Sequence, residues 1–327
     1  MKVAILDDWF DTLRSLPCFA RLEGHEVTVW NDHVEGEEVL AERLADVEAL
    51  VLIRERTSIT ASLIKRLPKL RLISQRGAYP HIDVEACTQQ GIAVCSNQGV
   101  DHPNHSAAEL TWALIMAAFR DLPRQCASLK SGLWQAGVGR TLRGKTLGVF
   151  GYGRIGKLVA GYGQAFGMDV LVWGSDASRD RAAADGWRVA VSKDAFLETS
   201  DVLSLHLRLG PSSRGVIAKS DLARMKPTAL LVNTSRAGLV VSDDLRDALI
   251  AGRPAMAAVD VFDIEPVVSD PLIQLDKVIA TPHIGYVTEE EFDLQFSDVF
   301  DQINAFASGA PIHLVNPPAV LRRQVTP

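Results

Sequence analysis

The chain has 327 residues, 47% of them hydrophobic and 23% charged, with a formal net charge of −6. That length exceeds a usual single core, so two domains are expected, and the composition is that of an ordinary soluble globular protein. With no basic excess to neutralise phosphates, nucleic acid and membrane surfaces are poor candidate partners.

Val3 to Leu6 reads as a first strand ending on Asp7 and Asp8, followed by strands at Val27 to Trp30, Ala49 to Ile53, Leu70 to Ser74 and Ile92 to Cys95. Helical segments separate them, including Val84 to Gln89, and this alternation predicts a flavodoxin-like, doubly wound parallel sheet. Such sheets bind ligands at the C-terminal ends of their strands, which makes Arg54 a candidate for a ligand carboxylate. Pairing of Arg54 and Arg56 with Glu55 and other acids explains them equally well. The turn Arg76-Gly77-Ala78-Tyr79-Pro80 is a second candidate rim, where backbone N–H groups at Gly77, Ala78 and Tyr79 could hold an anion. Plain turn chemistry also accounts for its Gly and Pro.

Asp7 and Asp8 interrupt the first apolar run too early for a signal peptide, and no later run approaches a membrane span. Cys18, Cys87, Cys95 and Cys126 show neither C-x-x-C nor Cys/His spacing, so no metal is expected and the thiols read as reduced, in a cytoplasmic protein. Ser106 opens S-A-A-E, a capping-box pattern, for a helix running to Phe119, where the chain crosses between domains. From Arg120 to Gly144 runs a polar, glycine-bearing arm. Its Trp134 suits either a dimer interface or a local core.

Lys145 to Asp176 is a nucleotide-binding βαβ pattern: a strand at Thr146 to Phe150, then Gly151, Gly153 and Gly156 as G-x-G-x-x-G, then a helix to Phe166 stopped by Gly167. Gly151 permits the tight turn, Gly153 lets the backbone approach a pyrophosphate, and Gly156 lets helix pack on strand. Arg154 precedes the helix, which Ile155 and Gly156 open, and the free N–H groups at this end suit the anion. The same letters satisfy G-x-x-x-x-G-K, but Leu158 replaces the hydroxyl that a P-loop needs, which excludes a nucleoside triphosphatase. An acidic residue should end the second strand, Val170 to Trp173, to hold the ribose 2′-OH. Gly174 stands there, and Asp176 is the nearest carboxylate. NAD is favoured, while Arg179 and Arg181 leave NADP open.

Further strands at Val202 to Leu207, Ala229 to Asn233, Ala257 to Val261 and Val278 to Ala280 deliver Arg236, Glu265 and His283 to the sheet edge that carries the glycine turn. Thr234, at the same edge, is a candidate cofactor contact. Singly, each of the three has an ordinary explanation as an ion pair, a turn carboxylate or a satisfied histidine. Together they offer an acid/base, a carboxylate to tune it and a fork for a substrate acid, which with a nicotinamide suffices to reduce a keto group.

LRGKTLGVFGYGRIG, LLVNTSRAGLV, AAVDVFDIEP and TPHIG occur in that order, with HID at His81 to Asp83 and SAAELTWALI from Ser106. Over nearly its whole length the chain resembles the D-isomer-specific 2-hydroxyacid dehydrogenases, which include D-lactate, glycerate, glyoxylate/hydroxypyruvate and 3-phosphoglycerate dehydrogenases. The resemblance implies an α/β protein of two doubly wound domains. A Rossmann NAD(P)-binding domain (101–285) would be inserted into a flavodoxin-like substrate domain (1–100 and 286–327), with a closing active-site cleft between them and a homodimer formed through the nucleotide domain. It implies that Arg236 binds the carboxylate and carbonyl of a small 2-keto or 2-hydroxy acid, that His283 is the proton donor in reduction, that Glu265 tunes His283, and that Asp260 meets the nicotinamide carboxamide.

Three positions depart from the family pattern: Gly174, Arg208 where Pro is frequent, and the turn Arg76 to Pro80, which is shorter than the family's and lacks its G-x-G. Formate dehydrogenases have Gln where this chain has Glu265, which disfavours formate. The alternative is an NAD(H)-responsive, corepressor-like binding protein on the same scaffold, without turnover.

Overall fold

Short apolar strands joined by helical crossovers pair in parallel, because each helix returns the chain to the end of the sheet where the previous strand began. The computed structural model describes residues 1–98 and 105–316 and contains two sheets in which every strand pair is parallel. They belong to two compact units, Met1–Asp101 with Thr288–Pro327, and His102–Val287. The expected crossing near residue 100 and the last residues of the tail, 317–327, lie outside the described residues.

In the first unit, β1 (Lys2–Ile5), β2 (Glu26–Val29), β3 (Ala49–Val51), β4 (Leu72–Arg76) and β5 (Ala93–Asn97) stand in the order β2-β1-β3-β4-β5. This is the flavodoxin-like order expected from the pattern, with its topological switch between β1 and β3. Ala4, Leu50, Ile73 and Val94 put one face of four adjacent strands into a single apolar core. The helix Glu289–Ala307, started by the Thr288 hydroxyl accepting from the Glu291 N–H (3.2 Å), meets β4 through Ser74, whose hydroxyl bonds the Val299 carbonyl (3.0 Å) and Gln302 (2.8 Å).

In the second unit, β6 (Thr146–Phe150), β7 (Asp169–Trp173), β8 (Arg188–Val189), β9 (Val202–Leu205), β10 (Leu230–Asn233), β11 (Met256–Val259) and β12 (Val278–Ala280) stand in the order β12-β11-β10-β9-β6-β7-β8. Side chains alternate across the sheet, so Leu147 and Val149 enter one core and Phe150 the other. The order reverses between β6 and β9, which places the glycine turn after β6 at the switch point, where such sheets bind ligands.

Some local expectations change. Ser106 is not a helix cap: it lies inside the helix His105–Arg120, and its hydroxyl donates to the Gly285 carbonyl (3.0 Å). The arm after Arg120 contains a helix, Leu122–Lys130, and Trp134 is 76% exposed, so it plugs no local core. Cys18, Cys87 and Cys95 are buried, and burial pushes each thiol up to about 12, whereas Cys126 is exposed. Among the described residues, no helix is long and apolar enough to cross a membrane.

Candidate active site

His283 follows β12 with a left-handed backbone, φ 52°, which is uncommon outside glycine and persists only where the surroundings impose it. Asp260, fully buried at the end of β11, imposes it. Its Oδ1 accepts from the Thr281 hydroxyl (2.6 Å) and the Ile284 N–H (2.8 Å), and its Oδ2 accepts from the Gly285 N–H (2.9 Å). Both flanks of His283 are thereby tied to one carboxylate. Burial pushes the Asp260 carboxyl above its ordinary range, against the pull of those hydrogen bonds.

Glu265 accepts from the Phe262 N–H through Oε1 (2.9 Å) and meets His283 Nδ1 through Oε2 (2.6 Å). Burial alone would raise this carboxyl. The bond to His283 and its charge, the Phe262 N–H and the Arg236 guanidinium outweigh burial and hold it below the usual range. A carboxylate can only accept, so Nδ1 carries the proton and Nε2 is the nitrogen left to exchange a proton with a reacting oxygen.

Arg236 stands beyond β10 on a turn folded by Asn233. The Asn233 Nδ2 donates to the Arg236 carbonyl (2.9 Å), Asn233 Oδ1 accepts from the Ser235 N–H (3.1 Å), and the Ser235 hydroxyl donates to the Leu207 carbonyl (3.0 Å). The structure thus brings Arg236, Glu265 and His283 into one electrostatic group. Thr234 shares a hydrogen bond with Thr111 (2.7 Å). Because the Thr111 proton is given to the Ala107 carbonyl (2.7 Å), Thr234 is the donor and keeps its own lone pairs.

At the glycine turn, Gly151 has φ 101°, and a Cβ there would lie 2.5 Å from the His206 carbonyl oxygen. A Cβ on Gly156 would overlap the Gly151 carbonyl, which is the close strand-to-helix packing the pattern predicts. Gly153 caps the helix Arg154–Ala165, and nothing lies within 4 Å of its Cβ position, so a ligand can approach the backbone there. Arg154 and Ile155 begin the helix, the Ile155 side chain packing against the core. The turn is braced by Ser178, whose hydroxyl accepts from the Tyr152 N–H (2.6 Å). Gly174 sits against that serine, a Cβ being 3.1 Å from Ser178 Oγ. Asp176, its side chain 88% exposed, opens the next helix and pairs with Arg179, whose guanidinium lies 4.7 Å from the centre of the Trp173 ring.

In the first unit Arg54 also has a left-handed backbone, φ 58°, and its Nη1 stands 3.9 Å from the Cβ position of Gly77. Arg54 and the turn at Gly77, Ala78 and Tyr79 therefore form one group, although the Tyr79 side chain packs against the core of that unit. Arg56 does not join it. Its Nη1 donates to the Asp7 carbonyl (2.6 Å), and its guanidinium lies 4.0 Å from the centre of the Trp9 ring.

The family model for the NAD binding domain of D-isomer specific 2-hydroxyacid dehydrogenases matches residues 112–285. The chain belongs to this family. It is 38% identical over 275 residues to a D-3-phosphoglycerate dehydrogenase of Methanocaldococcus jannaschii, a match spanning 83% of this chain and 52% of that one, so the chain spans about half the length of that relative. It is 35% identical over 271 residues to a hydroxypyruvate reductase of Thermotoga maritima, covering 81% of this chain and 86% of the relative. The crystal structure of an oxidoreductase from Ralstonia solanacearum is 52% identical, with a TM-score of 0.93 and 98% of both chains covered.

The family's NAD binding domain contains all seven strands β6 to β12, and the open Gly153 separates protein packing from ligand contact. Gly153→Ala should melt at the wild-type temperature yet bind NADH at least about tenfold more weakly, because only a pyrophosphate would meet the added methyl. Calorimetric titration alongside thermal melting checks this, and unchanged affinity would move the pyrophosphate elsewhere. Sequence reasoning missed Ser178 and the clamp that Asp260 makes with Thr281. Thr281 had position as its signal, directly after an apolar strand, whereas Ser178 lies within the helix Asp176–Ala184 and carried none.

Proposed function

We propose that the chain is an NAD-dependent D-2-hydroxyacid dehydrogenase that reduces a small 2-keto acid at C2. The observation that carries this reading is the 2.6 Å bond from His283 Nδ1 to Glu265, within the electrostatic reach of Arg236 and in the same unit as the glycine turn. The residues fit a dinucleotide: the Cβ-free cradle at Gly151, Gly153 and Gly156, with the helix start at Arg154 and Ile155, would hold the pyrophosphate. Thr234 and Asp176 keep acceptor capacity for the cofactor, while Asp260 serves chiefly through the turn it clamps. When bound, NADH would supply the hydride in reduction and NAD⁺ would take it up in oxidation.

Arg236 orients the substrate by a two-pronged grip on its carboxylate and carbonyl. His283 gives the Nε2 proton to the forming alkoxide, and Glu265 stabilises the positive charge that His283 carries beforehand. Arg54 and the N–H groups of the turn at Gly77 to Tyr79 serve as an anion-holding group for the acid. In oxidation the proton runs back to His283.

Initial rates of NADH oxidation, and separately of NADPH oxidation, with glyoxylate, hydroxypyruvate and pyruvate in turn test the reading. Saturable turnover with NADH on one of them is expected. If NADH binds but no keto acid is turned over, the corepressor-like alternative takes its place.

A further inference from the structure

Two side chains that the chemistry above does not use hold the turn from Arg76 to Pro80 from beneath. Gln75, fully buried in β4, directs its Nε2 at the Gly77 carbonyl (3.2 Å), the Ala78 carbonyl (3.1 Å) and the Ser96 hydroxyl (3.2 Å). Ser96, buried in β5, donates to the Gly77 carbonyl (2.7 Å). Carbonyls only accept, so the amide orientation is chemically determined: the NH₂ faces the turn. Gln75 Oε1 is then a buried acceptor with no partner among the described residues.

A trans peptide points its C=O and its N–H in opposite directions. Drawing the Gly77 and Ala78 carbonyls towards Gln75 therefore turns the N–H groups of Ala78 and Tyr79 away from it. Neither N–H makes a backbone hydrogen bond among the described residues. Two successive outward N–H groups form a concavity suited to an anion, and the Arg54 guanidinium stands beside Gly77 at its rim.

We propose that Gln75, assisted by Ser96, is the positioning residue of the substrate-carboxylate site in this unit, setting the direction of the Ala78 and Tyr79 N–H groups. This deepens the keto-acid reading above and rests on it for the identity of the anion. Gln75 acts through the turn and touches no substrate. Burying an amide in β4 is costly unless it forms hydrogen bonds, and here its donors go to the two carbonyls that define the turn.

The test compares wild type, Gln75→Met, which preserves volume but donates nothing, and Ser96→Ala, which removes one bond to the same turn. For the best keto acid, KM should rise about tenfold or more in Gln75→Met and less in Ser96→Ala, with kcat within about threefold and NADH affinity unchanged. Calorimetric titration with oxalate, a non-reacting dicarboxylate, should show the same ranking. If KM and oxalate affinity stay at wild-type values in the folded variants, the proposal is overturned. A parallel fall of kcat, NADH affinity and melting temperature would equally overturn it, since that is the mark of a merely structural residue. Should Gln75→Met fail to fold, Ser96→Ala decides by the same criteria. If wild type turns over no keto acid, the reaction is misassigned but oxalate still judges this site: weaker binding in the variants supports it, and no binding by wild type removes it.

Discussion

His283→Ala should lower kcat for keto-acid reduction by about two to four orders of magnitude while NADH affinity stays within about twofold of wild type. The loss falls on kcat because the imidazole is needed when the alkoxide forms, whereas the dinucleotide is held by the glycine turn. Glu265→Gln tests its partner. Glu265 is held below the usual carboxylate range, the effect of burial being outweighed by the bond to His283, and is therefore charged throughout the neutral range. Glutamine keeps the size but removes the charge that stabilises a positive His283, so kcat at neutral pH should fall by about tenfold or more. A carboxyl with a lowered pKa loses its charge only in acid, so the wild-type rate should fall on the acid side as Glu265 takes up its proton, and that limb should be absent in Glu265→Gln. Steady-state rates across pH, with NADH fluorescence titrations, provide both readouts. Normal turnover in His283→Ala would sink the assignment, and an acid limb unchanged in Glu265→Gln would take the tuning role from Glu265.

Arg236→Ala should cost kcat/KM about three orders of magnitude, since a charge-assisted, two-pronged grip on a carboxylate is lost without replacement. The turn itself should survive, because Asn233 bonds the backbone at residue 236 and not its side chain. Arg236→Lys should recover only part of the loss: the charge returns, but the planar fork that matches a carboxylate does not. A secondary effect follows from the field of Arg236 on Glu265, which helps to hold that carboxyl down. Without it, Glu265 takes up its proton at a somewhat higher pH, so the acid side of the profile should also weaken. Equal kcat/KM in wild type and Arg236→Ala would remove the residue from substrate binding.

Much of the architecture is legible in the letters. The strands at residues 146, 202, 230 and 278 coincide with apolar runs. The missed elements are those with little pattern to show. Arg188–Val189 is a two-residue edge strand, too short to display alternation, and Leu122–Lys130 lies within a polar stretch and buries no residue. Ser106 carried the letters of a capping box, yet its helix begins before it. Local motifs tolerate such a shift because they describe one turn of chain at a time. Asp260 was legible as an acid at the end of a strand, but not as the clamp on His283, and Gln75 looked like any polar residue beside a strand.

The sequence by itself determined the two parallel sheets, the glycine turn and the residue types at the strand ends. These follow from short-range rules: side-chain periodicity, the steric freedom of glycine, and the parallel pairing that helical crossovers impose. The tertiary structure alone decided which of those residues meet. Glu265 reaches His283 across 18 positions, Asp260 reaches Gly285 across 25, and Ser96 reaches Gly77 across 19. Each contact spans different strands or the turns beyond them, and strand order is set by how whole faces bury their apolar surface, a property that no local stretch of letters contains.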